Sequence, residues 1–121
     1  MPLPIRSLRP FIGAKDFNLS RRFYCDLGFE EIPLEKGLHL FQTGHFAFYL
    51  QDAYVKDWNE NSMLFAEVES ADSFWQFVSG LNLEKKYPGV RIKPVVHRPW
   101  GSEFFLHDPS GILWHFGNFT R

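Results

Sequence analysis

One feature constrains the fold of this chain more than any other: its order of elements runs through twice. Residues Ile5 to Ala14 are apolar apart from Arg6, Ser7 and Arg9 and read as an extended strand. Pro10 lacks the donor a central strand needs, so this strand is expected at an edge, bent, or crossing to another partner. From Phe17 to Leu27 the period changes. Leu19, Phe23 and Leu27 recur every four residues, Asp16 or Asn18 can cap, and Gly28 stands where helices end. Strands are expected over Phe29–Pro33, Leu38–Thr43 and Phe46–Gln51, divided by two glycine turns. Tyr54 to Asn61 is polar, shows no period, and reads as a linker.

Beyond it the order restarts. A strand over Ser62–Glu69 leads to a helix capped by Ser70, with Phe74, Phe77, Val78 and Leu81 as its apolar face. Strands over Val90–His97, Ser102–His107 and Ile112–Phe116 follow, the last two joined by the four-residue turn Asp108-Pro109-Ser110-Gly111. An offset of 54 residues aligns Phe23 with Phe77, Leu27 with Leu81, Gly28 with Asn82 and Phe29 with Leu83. The repeated element order supports duplication better than these matches, which two unrelated amphipathic helices could share. The reading is a single α+β domain of two βαβββ modules, about residues 5–54 and 62–119.

Composition narrows the function classes. Thirteen Lys and Arg against fourteen Asp and Glu leave a net charge of −1, so no basic footprint for nucleic acid exists. There is no apolar run long enough to span a membrane, and Met1 to Arg6 shows no signal-peptide pattern, so a cytoplasmic protein is expected. Cys25, the only cysteine, cannot form an intramolecular disulfide. Aromatic residues reach 18%. Such a chain either overfills its core or lines a cavity that stacks a flat ligand.

The stretch Pro99-Trp100-Gly101-Ser102-Glu103-Phe104, continuing to Asp108-Pro109-Ser110-Gly111, resembles the Pro-Trp-Gly…Asp-Pro-x-Gly region of bleomycin-resistance proteins. Arg22-Phe23-Tyr24 and Leu27-Gly28-Phe29 are similar to the first helix and its exit in the same group. By these motifs, over nearly the whole chain, it resembles the vicinal-oxygen-chelate superfamily of glyoxalases, extradiol dioxygenases and bleomycin-resistance proteins. The resemblance implies two βαβββ modules curled into an open, cup-like eight-stranded sheet with helices outside. It also implies a homodimer, often with an exchanged N-terminal strand hinged near Pro10, although an edge-strand proline explains Pro10 equally well.

Enzymes of that superfamily hold a divalent metal at four positions, which fall on Arg9, Tyr49, Met63 and His115. Arginine cannot ligate a cation and a thioether is a poor ligand for hard ions, so no metal and no cofactor are expected. Strand alternation, taken with the positions the resemblance aligns, turns Arg9, Phe11, Tyr49, Met63, Phe65, Glu67, Leu113 and His115 to one side. If His107 pairs with Ile112, Phe104 joins His115 there, His107 points to the opposite face, and Trp100 stands at the approach. These residues either line a small-molecule pocket or fill the cup as a second core.

The resemblance implies sequestration without chemistry. Trp100 and Phe65 match aromatics that hold a cationic, metal-chelating glycopeptide in bleomycin-resistance proteins. Three features depart from that pattern: Arg98 beside the motif, Pro33 and Leu38 where drug binders tend to place aromatics, and the small net charge. The expected function is non-enzymatic binding of a flat small molecule, with a bleomycin-like antibiotic as the named case. The alternatives are a metal-independent enzyme using Glu67, Tyr49 and His115 as acid and base, and a dimerising domain without a ligand.

Overall fold

Asp16 and Ser70, 54 residues apart, start equivalent helices. Asp16 accepts a hydrogen bond from the Leu19 N–H at 3.1 Å and Ser70 accepts one from the Ser73 N–H at 3.2 Å. The computed structural model describes residues 2–120. The first module comprises β1 (Phe11–Gly13), α1 (Phe17–Leu27), β2 (Glu30–Glu35), β3 (Leu38–Thr43) and β4 (Phe46–Gln51). The expected linker contains a short helix, α2 (Lys56–Glu60). The second module comprises β5 (Met63–Glu67), α3 (Ala71–Ser79), α4 (Leu83–Lys86), β6 (Arg91–Ile92), β7 (Val96–Arg98), β8 (Gly101–His107) and β9 (Leu113–Phe119).

Each module forms its own open sheet. The orders are β1-β4-β3-β2 and β5-β9-β8, with β6 and β7 both paired to the far edge of β8. Each first strand runs parallel to its module's last, pairing Phe11 with Tyr49 and Phe65 with His115. The repeat is visible in single hydrogen bonds: Ala14 N–H donates to Gln51 O, and Val68 N–H to Gly117 O. The first-strand and cap positions lie 54 residues apart and the last-strand positions 66, so the second module carries extra residues between them, where α4 lies. Phe23 and Phe77 are not equivalent in packing. Phe23 is buried, whereas Phe77 is 53% exposed and leaves the helix face to Phe74 and Val78.

Two strand expectations change. The first strand shrinks to Phe11–Gly13, an edge strand, and residues 2–10 are exposed and irregular. Only the carbonyl of Pro10 joins the ladder, accepting from Tyr49 N–H at 2.9 Å, as a residue without a donor must. The strand expected over Val90–His97 breaks around Pro94 into β6 and β7, so the described residues form nine strands where eight were expected. No helix among the described residues is long and apolar enough to cross a membrane.

The core joins the modules through aromatic rings. Tyr24 on α1 packs against Phe41 and Phe48 of the first sheet and Trp114 of the second, with centroids 4.9 to 5.9 Å apart. Trp114 stacks on Phe116, which meets Phe74 of α3 and Phe104 of β8. A buried polar chain threads these rings. Trp114 Nε1–H donates to Tyr24 Oη at 2.9 Å, and Tyr24 O–H donates to Asp108 Oδ2 at 2.6 Å. Asp108 Oδ1 accepts from the Ser110 and Ile112 amides. Asn59 of α2 donates to Gly13 O and Ser110 O, so the supposed linker fastens the two modules together.

Burial pushes the Asp108 carboxyl up to about 6, against its hydrogen bonds, from an ordinary 3.8. The folded state therefore holds a proton that the unfolded chain has released between about pH 4 and 6. Stability from this group is largest at acid pH and falls as pH rises through that window, by roughly 3 kcal/mol for a shift of this size. Glu31 and Glu103 are held below the usual carboxylate range, so their contributions act with the opposite sign and at lower pH. Asp108→Asn should flatten the pH 4–6 decline, measured as denaturation midpoints across that range. An unchanged slope would show that Asp108 does not titrate there.

Candidate functional site

The hairpin of β8 and β9 decides which side chains face outward, onto the side where the expected ligand groove would lie. Asp108 N–H donates to Ile112 O, and Asp108 Oδ1 accepts from Ile112 N–H, so the hairpin closes at Asp108 and Ile112. The loop is then Pro109-Ser110-Gly111, one residue shorter than the expected four, with Gly111 at φ 91°. The register moves by one, pairing His107 with Leu113 and Phe105 with His115. Two expectations fall with it. Phe104 turns to the core, is 0% exposed and packs on Phe74 and Phe116, so it does not join the groove. His107 shares a face with His115.

The second sheet brings Met63, Phe65, Glu67 and His115 onto one outward face, with Trp100 at its end. Trp100 is 37% exposed; its ring lies 6.3 Å from Phe65 and 5.4 Å from Phe119. Phe65 and Phe119 are 5.7 Å apart, so the three rings form a partly open aromatic cluster beside His115. Gly101 holds the base of Trp100. A Cβ there would stand 2.0 Å from Asn118 O, so only glycine lets β8 approach β9 at this point. Gly117 leaves a similar space, where a Cβ would come 2.9 Å from the tip of the Phe65 ring.

Tyr49 lies on the first sheet, and Arg9 stands in the irregular segment just before β1. Tyr49 stacks on Phe11 at 4.6 Å, and Arg9 donates to Tyr49 Oη at 3.2 Å with its guanidinium over the ring. The eight expected site residues therefore divide: four on the outward face of the second sheet with Trp100 at its end, Tyr49 on the first sheet with Arg9 just before β1, and Phe104 in the core. Of the four family metal positions, Arg9 spends a donor on Tyr49 and His115 stands on the other sheet. Among the described residues no group of three His, Cys, Asp or Glu could hold a metal ion.

Two features were missed from sequence. Glu103 is buried on the groove face, accepting from Arg98 Nε at 2.6 Å and lying 3.1 Å from His115 Nδ1. Its place opposite Gly117 follows from the register, which the motif does not reveal. The second feature is an apolar cavity of about 670 Å³ between the modules. Buried Phe48, Trp114 and Phe116 contribute to its lining, together with exposed Phe46, Phe65 and Phe119. It arises where side chains of both modules meet across one space.

Trp100→Ala should lower stability by about 1 kcal/mol or less, as for a partly exposed side chain. A loss of about 3–5 kcal/mol in a denaturation curve would place Trp100 with the core residues instead.

No protein-family model and no curated protein sequence matches the chain. Solved structures do. A bleomycin-binding protein from bleomycin-producing Streptomyces verticillus, complexed with copper(II)-bleomycin, superposes with a TM-score of 0.77 at 20% identity, covering 99% of this chain and 100% of that one. An antibiotic-binding protein from Streptomyces sp. CB03234 gives 0.74 at 16% identity, over 98% and 100%. A lactoylglutathione lyase from Agrobacterium tumefaciens gives 0.71 at 15% identity, over 96% of each chain. The chain therefore has the fold of the vicinal-oxygen-chelate superfamily, the fold these bleomycin-binding and glyoxalase-type proteins share.

Proposed function

We propose that this protein binds a flat small molecule without changing it, in the manner of the bleomycin-resistance proteins, and that a bleomycin-like antibiotic is its ligand. The observation that carries this reading is the cluster of Trp100, Phe65 and Phe119, partly open to solvent at the end of a sheet. Such rings offer stacking area for flat or cationic groups. Arg98, which by sequence opposes a cationic drug, is ion-paired to Glu103 at 2.6 Å, so its charge is locally compensated. Antibiotic- and bleomycin-binding proteins among the structural neighbours support the same reading.

The working form in this proposal is a cytoplasmic homodimer with an exchanged N-terminal segment. Leu3, Ile5 and Leu8 in residues 2–10 are exposed, Leu8 by 91%, and β1 and β5 are both sheet edges. Tyr49, with Arg9 bonded to it, and the Phe65–His115 group lie on different sheets of one chain. A second copy would bring them into a common groove. A metal-independent enzyme is the second reading, favoured by the hydrogen-bonded Glu103–His115 pair.

Titrating bleomycin against the protein should quench tryptophan fluorescence, and Trp100→Ala should weaken binding by about 1–3 kcal/mol. Mass spectrometry of the recovered drug should find it unmodified; a modified drug would favour the enzyme. Light scattering should report twice the chain mass at micromolar concentration. A monomer would remove the two-chain groove.

A further inference from the structure

Glu103 is 6% exposed, yet its surroundings keep it ionised. Burial alone would push its carboxyl up. Hydrogen bonds from His115 and Arg98, with the Arg98 charge beside it, outweigh burial and hold it below the usual carboxylate range. An ionised carboxylate can only accept hydrogen bonds. The contact from His115 Nδ1 to Glu103 Oε1, 3.1 Å long, therefore requires the proton on Nδ1. In the neutral ring, Nε2 is then a bare acceptor. Nε2 makes no hydrogen bond to any described residue. The only buried side-chain nitrogen or oxygen without a partner among those residues is His107 Nδ1, so Nε2 of His115, which has no partner either, is not sealed from solvent. Phe105, edge-on at 4.9 Å, and Phe65, 6.3 Å away, hold the plane of the imidazole.

We propose that Glu103 is a positioning residue that fixes His115 as the Nδ1–H tautomer, so that Nε2 accepts a hydrogen bond from the ligand. The groove then selects flat aromatic rings bearing an N–H or O–H donor over rings of the same shape bearing an acceptor. The inference rests on the reading that Trp100, Phe65 and Phe119 form a ligand groove, and it adds the hydrogen-bonding class of that ligand. Arg98 makes the device testable. Its guanidinium is an obligate donor at 2.6 Å from Oε2. In Glu103→Gln, Arg98 claims the amide oxygen and turns the NH₂ group toward His115 Nδ1. Nδ1 must then accept, the proton moves to Nε2, and the groove presents a donor.

Nitrogen-15 spectra of histidine-labelled protein at pH 8.5, above the ordinary imidazole range, read the tautomer directly. His115→Gln identifies the resonance. Expected is a protonated Nδ1 and an unprotonated Nε2; the reverse, or an even mixture, overturns the proposal. Indole and quinoline, titrated separately and followed through the Trp100 side-chain resonance, read the selectivity. Indole should bind about fivefold tighter, the worth of one net hydrogen bond of about 1 kcal/mol. Glu103→Gln should invert that order. Equal affinities in the parent protein overturn the proposal while leaving the groove in place. If neither ring shifts Trp100, the groove reading fails and takes this inference with it. The tautomer and the ring preference of the parent protein decide the matter even if the variant does not fold.

Discussion

One buried carboxylate holds the molecule together. Asp108 receives the Tyr24 hydroxyl from the first module and two amides from its own turn, so it fastens the end of β8 to the middle of α1. Tyr24 is in turn the acceptor for the Trp114 indole. Without Asp108, a phenol with no solvent exposure would lose its acceptor, a cost of about 1–3 kcal/mol before any repacking. The effect reaches beyond stability. β9 starts directly after this turn, and His115 and Phe119 ride on it, so the same carboxylate sets the height at which the groove residues emerge.

The aromatic surplus resolves into two populations sorted by strand parity. Along β8 and β9, Phe104, Leu106, Trp114 and Phe116 turn to the helices, while Phe105, His115 and Phe119 turn outward. The inner set can be densely aromatic because the polar atoms of Tyr24 and Trp114 are satisfied within it. The outer set is left partly open. One strand serves a core on one side and presents a partly open aromatic face on the other.

Much of this was legible in sequence. The caps at Asp16 and Ser70, the end of α1 at Gly28, and strands β3 and β4 follow from local chemistry that tertiary packing did not override. The two-module order was legible for the same reason. What local pattern cannot supply is register. The β8–β9 hairpin depends on a carboxylate bonding to an amide four residues on, and that single residue of register exchanged Phe104 for Phe105 and moved His107 to the other face. The polarity of Tyr54 to Asn61 was likewise real but misleading, because Asn59 is buried to bond two carbonyls of different modules. Glu103 escaped notice since a carboxylate between serine and phenylalanine reads as a solvent-facing strand residue until its partners are known.

Gly117 turns a missing side chain into a gauge. The Phe65 ring rests over it, and the Glu103 side chain flanks the same space. A methyl group at this site would meet the tip of that ring, so the ring could not keep its place beside Trp100 and Phe119. The place of the Phe65 ring is thus set by one hydrogen atom in the backbone as well as by the rings beside it. In the proposed ligand groove, a substitution at residue 117 alone would therefore alter the stacking surface while leaving every ring residue in place.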